Sequence, residues 1–149
     1  MKLLSLNVEG ILHTDRILPY LQSQNADVVC LQEGSETYVD FLKDQDYAVA
    51  FLPRCLKTQN GTAYTDGVIL ATRHKVVFTH HYYYKTDGEL VLEQHKMETE
   101  PRRNWQVLVM GTIEIPNEGM YTIGTTHFTW TPVGSYASPA QVTDMEQLL

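Results

Sequence analysis

The sequence has 149 residues, 43 % of them apolar and 19 % charged, and its 18 acidic against 11 basic residues give a net charge of −7. That length suits one domain and that composition a globular one, which excludes disordered and fibrous chains. No apolar run approaches the roughly 20 residues of a membrane span, and the acidic balance speaks against a protein that coats nucleic acid through its own clustered Lys and Arg.

Residues 2–8 read as a short, mostly apolar strand ended by Glu9-Gly10, too short an apolar stretch for a signal peptide. Ile17, Leu18 and Leu21 recur at helical spacing and predict a short amphipathic helix, with Pro19 in or near its first turn because a deeper proline would break it. Asn25-Ala26-Asp27 closes that helix and opens Val28-Val29-Cys30-Leu31, an unbroken apolar run that suits a strand buried on both faces, as in a parallel sheet. The unit is strand, helix, strand, with a right-handed crossover expected. Cys30 and Cys55 show no metal or redox spacing, so a reducing cytoplasm is the expected compartment.

Ser35 is a candidate N-cap for a second helix whose apolar face is Tyr38, Phe41 and Leu42. Beyond it the periodicity changes. Residues 47–52, 66–72, 75–84, 105–115 and 120–128 read as strands rich in Val, Ile, Tyr and Thr. Asn60-Gly61 marks a loop and Asn117-Glu118-Gly119 a tight hairpin, while residues 86–101 are acidic and polar and predict a mobile excursion. Ser138-Pro139-Ala140-Gln141 is a capping box with proline at the first helical position, followed by an apolar stripe of Val142, Met145 and Leu149. An apolar face begun and then cut off predicts a fragment of something longer; the alternative is a short terminal helix that ends on leucine.

If the first two strands run parallel, their C-terminal ends carry Asn7 and Glu33 side by side, in the crevice where open α/β sheets place their sites. A carboxylate ending a wholly apolar strand needs a companion donor or cation. A hard ion such as Mg²⁺ meets that need with one or two carboxylates, several waters and a substrate phosphate; a glutamate capping the second helix or pairing at the surface is the alternative. His127 closes the strand that ends Gly124-Thr125-Thr126 and could donate to a phosphate oxygen or protonate a leaving group, or serve as a satisfied structural histidine. His80 and His81 point to opposite faces of a strand and cannot chelate together. His95, Glu93 and Glu98 read as a solvated stretch, and Tyr82-Tyr83-Tyr84 as half-buried strand. No P-loop, nucleophile elbow, paired zinc motif or dinucleotide fingerprint is present.

The order and spacing of four segments resemble the endonuclease/exonuclease/phosphatase superfamily. Leu4-Ser5-Leu6-Asn7-Val8-Glu9-Gly10 looks like its opening motif, and Asp27-Val28-Val29-Cys30-Leu31-Gln32-Glu33 resembles its metal-binding motif. Asp66-Gly67-Val68-Ile69-Leu70-Ala71-Thr72-Arg73 is similar to its Gly-containing strand. Gly124-Thr125-Thr126-His127-Phe128, then Trp130-Thr131-Pro132, looks like the Thr-His motif of deadenylase-like and phosphodiesterase-like members, and Gln141 falls where such proteins often carry a glutamine. The resemblance implies an α/β (α+β) fold, a four-layer αββα sandwich of the deoxyribonuclease-like type. Residues 1–149 would be the N-terminal part of a single domain, one sheet with flanking helices. Glu33 would be the Mg²⁺ or Mn²⁺ ligand, Asn7 would sit beside it on a phosphate oxygen, a metal water or Glu33 itself, and His127 would contact the scissile phosphate and assist the leaving group.

The family's later motifs, Gly-Asp-Xaa-Asn and a closing Asp-His pair, do not occur in this sequence. They supply the residues that activate the attacking water and complete the cation's shell, so the chain alone is expected to be weakly active or inactive. It is also expected to bare an apolar sheet face and to self-associate through it. The expected activity is divalent-metal-dependent phosphoester hydrolysis, of a phosphodiester rather than a monoester, on nucleic acid, a nucleotide or a phospholipid headgroup. The rival reading is a non-catalytic truncated relative kept for binding or structure. A redox or dinucleotide protein lacks its glycine fingerprint.

Overall fold

The computed structural model describes residues 1–93, 104–129 and 137–149. Along the chain they form β1 (Leu3–Asn7), α1 (Thr14–Gln24), β2 (Val28–Gly34), α2 (Glu36–Asp44), β3 (Ala48–Gln59) and β4 (Thr62–Thr72). Then follow β5 (Lys75–Tyr84), β6 (Gln106–Ile115), β7 (Gly119–Thr126) and α3 (Pro139–Leu148). One sheet has the order β1-β2-β4-β3, the other β5-β6-β7.

β1 and β2 pair in parallel, as the strand–helix–strand reading requires, with Leu3 opposite Val28 and Asn7 opposite Gln32. β2 pairs on its other side with β4, antiparallel. The sheet is therefore mixed, and the unbroken apolar run of β2 has a different origin from the expected parallel sheet: β2 lies in the middle of three layers. Val29 and Leu31 face the helices and join a core of Leu21, Tyr38, Leu42, Tyr47 and Ile69. Val28 and Cys30 face the second sheet and pack with Val68, Leu70, Val107, Val109 and Ile113.

That second core corrects the expectation of a single sheet. Both sheets lie within these 149 residues, face to face, because β5 and β6 each turn one apolar edge inward (Val76 and Phe78; Val107, Val109 and Ile113) against the face of β2 and β4. The face expected to be bare is thus covered. Strand register places Val77 and Met120 on the opposite, outer face of the second sheet, 66 % and 61 % exposed.

Pro19 is the sixth residue of α1, deeper than the first turn. The helix tolerates it because Pro19 and Asp15 are both on the exposed side, so water can take the carbonyl that the missing N–H leaves free. Asn25 ends α1 in the left-handed conformation, its N–H bonded to the Leu21 carbonyl at 3.3 Å. Ser35 stands at the N-terminus of α2 without a side-chain capping bond. β3 and β4 run much further than predicted, forming a long hairpin closed by Asn60 and Gly61, both at positive φ. Residues 86–93, the described part of the polar excursion, dock on that hairpin: the Leu56 N–H donates to the Val91 carbonyl at 3.0 Å and the Glu93 N–H to the Leu56 carbonyl at 2.8 Å. His95, Glu98 and Trp130-Thr131-Pro132 lie outside the described residues. The capping box forms as predicted, with Ser138 Oγ accepting from the Gln141 N–H at 3.2 Å and Gln141 Oε1 from the Ser138 N–H at 2.9 Å. No helix among the described residues is long and apolar enough to cross a membrane.

Candidate active site

The parallel pairing of β1 and β2 sets the geometry. Beyond Asn7 the chain stays beside the end of β2: the Val8 N–H donates to the Gln32 carbonyl and the Gly10 N–H to the Glu33 carbonyl, each at 3.0 Å. The pairing of β2 with β4 breaks between Leu31 and Gly34. There Glu33 adopts φ +56, a left-handed conformation that disfavours a side chain and that the surrounding backbone bonds must hold.

Three groups converge on the Glu33 carboxylate. Asn7 Nδ2 donates to Oε1 at 3.0 Å, while Asn7 Oδ1 accepts the Glu9 N–H at 3.0 Å. The second bond fixes the amide's orientation, so its donor faces Glu33. His127 follows β7 and reaches across from the second sheet, its Nε2 lying 3.2 Å from the same Oε1. A ring nitrogen bonded to a carboxylate must carry a proton, so Nε2 is protonated; Nδ1 is buried with no partner among the described residues. Lys57, from the long hairpin, donates to Oε2 at 2.6 Å. Gln32 ties the two sheets together beneath this point by donating from Nε2 to Thr125 Oγ1 at 2.9 Å.

Lys57 extends the cluster. Its ammonium also lies 3.1 Å from Asp66 Oδ1 and 3.1 Å from Glu93 Oε2. Asp66 is fully buried and meets Arg54 Nη1 at 3.3 Å through its other oxygen. Three carboxylates, Glu33, Asp66 and Glu93, thus face two cations, Lys57 and Arg54, leaving the cluster net negative. The His127 bond, more than those from Lys57 and Asn7, holds Glu33 well below the usual carboxylate range despite burial. Burial pulls Lys57 down, but the carboxylates of Asp66, Glu33 and Glu93 outweigh it and hold the ammonium above its ordinary value. Burial pushes Asp66 up against the pull of Lys57 and Arg54.

All three residues singled out in the sequence, Asn7, Glu33 and His127, meet at one carboxylate. Glu93 itself departs from the reading as solvated, because a salt bridge to Lys57 holds it against the hairpin. Lys57, Asp66 and Arg54 went unassigned, although an acid opening the apolar run Val68–Leu70, opposite two cations in the neighbouring strand, is a signal that buried charge needs partners.

A hard divalent cation is the cofactor to test against this donor set. Glu33 offers a carboxylate kept ionised and oriented by the Asn7 amide, at the edge of a net-negative cluster, which fits an ion that takes one or two carboxylates and otherwise water and phosphate. Among the described residues no three His, Cys, Asp or Glu side chains are arranged to hold a metal.

Comparison with known proteins gives the same frame. Among curated proteins, no sequence matches the chain. An endonuclease/exonuclease/phosphatase from Beutenbergia cavernae DSM 12333 superimposes with a TM-score of 0.61 at 16 % identity over 99 % of this chain and 41 % of its own. ANGEL2, described as a 2',3'-cyclic phosphatase, does so with a TM-score of 0.59 at 15 % identity, over 85 % of this chain and 40 % of its own. A family protein from Leptotrichia buccalis C-1013-b gives 0.58 at 17 % identity, over 85 % of this chain and 54 % of its own. The chain therefore spans about half or less of the length of these relatives, at identities that speak for the fold alone. The sequence profile of the Endonuclease/Exonuclease/phosphatase family matches residues 4–148, from the strand that carries Asn7 to the last residue of α3, and with that span the chain belongs to this family.

Proposed function

We propose that the chain carries the N-terminal share of the catalytic centre of a divalent-metal-dependent phosphoesterase that hydrolyses phosphodiesters. The observation that supports this most is the convergence of Asn7, His127 and Lys57 on Glu33, which leaves an ionised carboxylate at the joint end of two parallel strands. Glu33 would hold Mg²⁺ or Mn²⁺, with Asn7 orienting its carboxylate through Nδ2. When bound, such a cation polarises a phosphoryl oxygen and stabilises the leaving oxygen. The chain's own residues do the rest of the local work. Asn7 and His127 hold the Glu33 carboxylate in place, and His127 presents an Nε2–H at that edge, a hydrogen-bond donor for a phosphate oxygen.

The substrate is a phosphoester of nucleic acid, nucleotide or phospholipid headgroup. The cyclic phosphodiester on which ANGEL2 is described as acting makes 2',3'-cyclic phosphates the first compounds to try. The test is Mg²⁺-dependent hydrolysis of a phosphodiester panel by the complete protein and its Glu33→Gln variant. The expected loss is on the order of 10²-fold or more, the scale of removing one charge-stabilising group from a reacting centre. Unchanged turnover in Glu33→Gln would sink the assignment.

A further inference from the structure

We infer that Lys57 is a built-in competitor for the divalent cation: its ammonium occupies the one Glu33 oxygen that the rest of the site leaves open, and must leave it for the ion to bind. This inference rests on the metal site proposed above. Glu33 Oε1 is already shared by Asn7 Nδ2 at 3.0 Å and His127 Nε2 at 3.2 Å. Among the described residues that leaves Oε2, and Lys57 Nζ holds it at 2.6 Å.

The arrangement makes Lys57 movable where Arg54 is not. Arg54 is buried with its guanidinium on Asp66, 5 % exposed at the side chain. Lys57 carries a compact charge on a flexible four-carbon stem and has two further acidic partners, Asp66 and Glu93, each at 3.1 Å. Leaving Glu33 therefore costs Lys57 one ion pair of three and strands no buried charge. Without the ion, Lys57 keeps the carboxylates of Glu33, Asp66 and Glu93 from facing each other uncompensated. With it, Lys57 retreats to the other two. A cation held against such a competitor is held loosely and exchanges readily.

The experiment is Mn²⁺ binding to the complete protein, followed by the electron paramagnetic resonance of free Mn²⁺, for wild type, Glu33→Gln, Lys57→Met and Lys57→Arg. Lys57→Met is expected to bind Mn²⁺ about tenfold more tightly, the equivalent of one partly buried ion pair. Lys57→Arg, which keeps the charge, should stay near wild type. Lys75→Met, which breaks the exposed pair with Glu114 on the second sheet, should change nothing. A residue that merely supports the fold would weaken Mn²⁺ binding when lost. A second measurement needs no variant: the side-chain resonances of Lys57 in wild type, read by nuclear magnetic resonance, should shift when diamagnetic Mg²⁺ is added and the ammonium leaves Glu33. Unchanged or weaker Mn²⁺ binding in Lys57→Met, or Lys57 resonances indifferent to Mg²⁺, overturns the inference while Glu33-dependent binding leaves the metal site standing. Absence of Glu33-dependent Mn²⁺ binding overturns both.

Discussion

Asp27 shows how one carboxylate in a functional-looking motif serves the fold. Its Oδ2 accepts the Lys2 N–H at 2.5 Å and its Oδ1 lies 3.0 Å from His74 Nε2, so it pins the start of β1 and the turn after β4 to the start of β2. The backbone bond from Lys2, then His74, holds its carboxyl below the ordinary value. A group of that kind binds fewer protons folded than unfolded, so its stabilisation is present above the unfolded value of about 3.9 and is lost as pH falls. Urea midpoints of wild type and Asp27→Asn are therefore expected to converge between about pH 6 and about pH 2.5; a gap that stays constant with pH would contradict the linkage. The same residue scale explains what could be read beforehand. Asn7, Glu33 and His127 were legible because each ends a strand whose pattern is local. Lys57, Asp66 and Glu93 were not, since they meet only when a long hairpin and a segment some thirty residues later fold onto the end of β2.

At the scale of elements, the β3–β4 hairpin brings Lys57 to Glu33, and it depends on a close approach at Gly67. The register of β3 against β4 shifts between Pro53 and Cys55. There a Cβ on Gly67 would press against the Leu52 carbonyl oxygen and stand 2.5 Å from Phe51 Cε2. The first obstacle is backbone, which cannot swing aside. Gly67→Ala is expected to cost about 1–3 kcal/mol, the range for overpacked sites, seen as a lower urea midpoint; an unchanged midpoint would show that the hairpin yields at this point. The hairpin's extent was hidden because residues 53–65 mix Pro, Arg, Lys, Gln and Thr without the alternation of a half-buried strand. Charges that look like loop composition are here the partners of the cluster. Pro19 illustrates the converse, since its penalty depends on whether water reaches the Asp15 carbonyl, which periodicity does not encode.

For the whole molecule, the question is whether two sheets within these 149 residues behave as one body. Richness in Val, Ile, Tyr and Thr marks β5 and β6 as strands, and it does not say against what they pack. Sheet membership follows from which edges pair, and the second sheet arises because β5 starts anew after the turn at Arg73-His74 rather than adding to the edge of the first. The layers meet through Val28, Cys30, Val68 and Leu70 on one side and Val107, Val109 and Ile113 on the other. Across that seam Gln32 reaches Thr125 and His127 reaches Glu33, so the site exists only while the sheets stay docked. Leu70 is fully buried in the seam, on β4. Leu70→Ala is expected to destabilise by about 2–5 kcal/mol. If the two sheets unfold together, the amides of β6, which pair with neither β4 nor β2, should lose hydrogen-exchange protection by the same free energy as those of β4. Protection that falls in β4 alone would mean that the sheets open separately, and that the contacts of Gln32 with Thr125 and of Glu33 with His127 break without global unfolding.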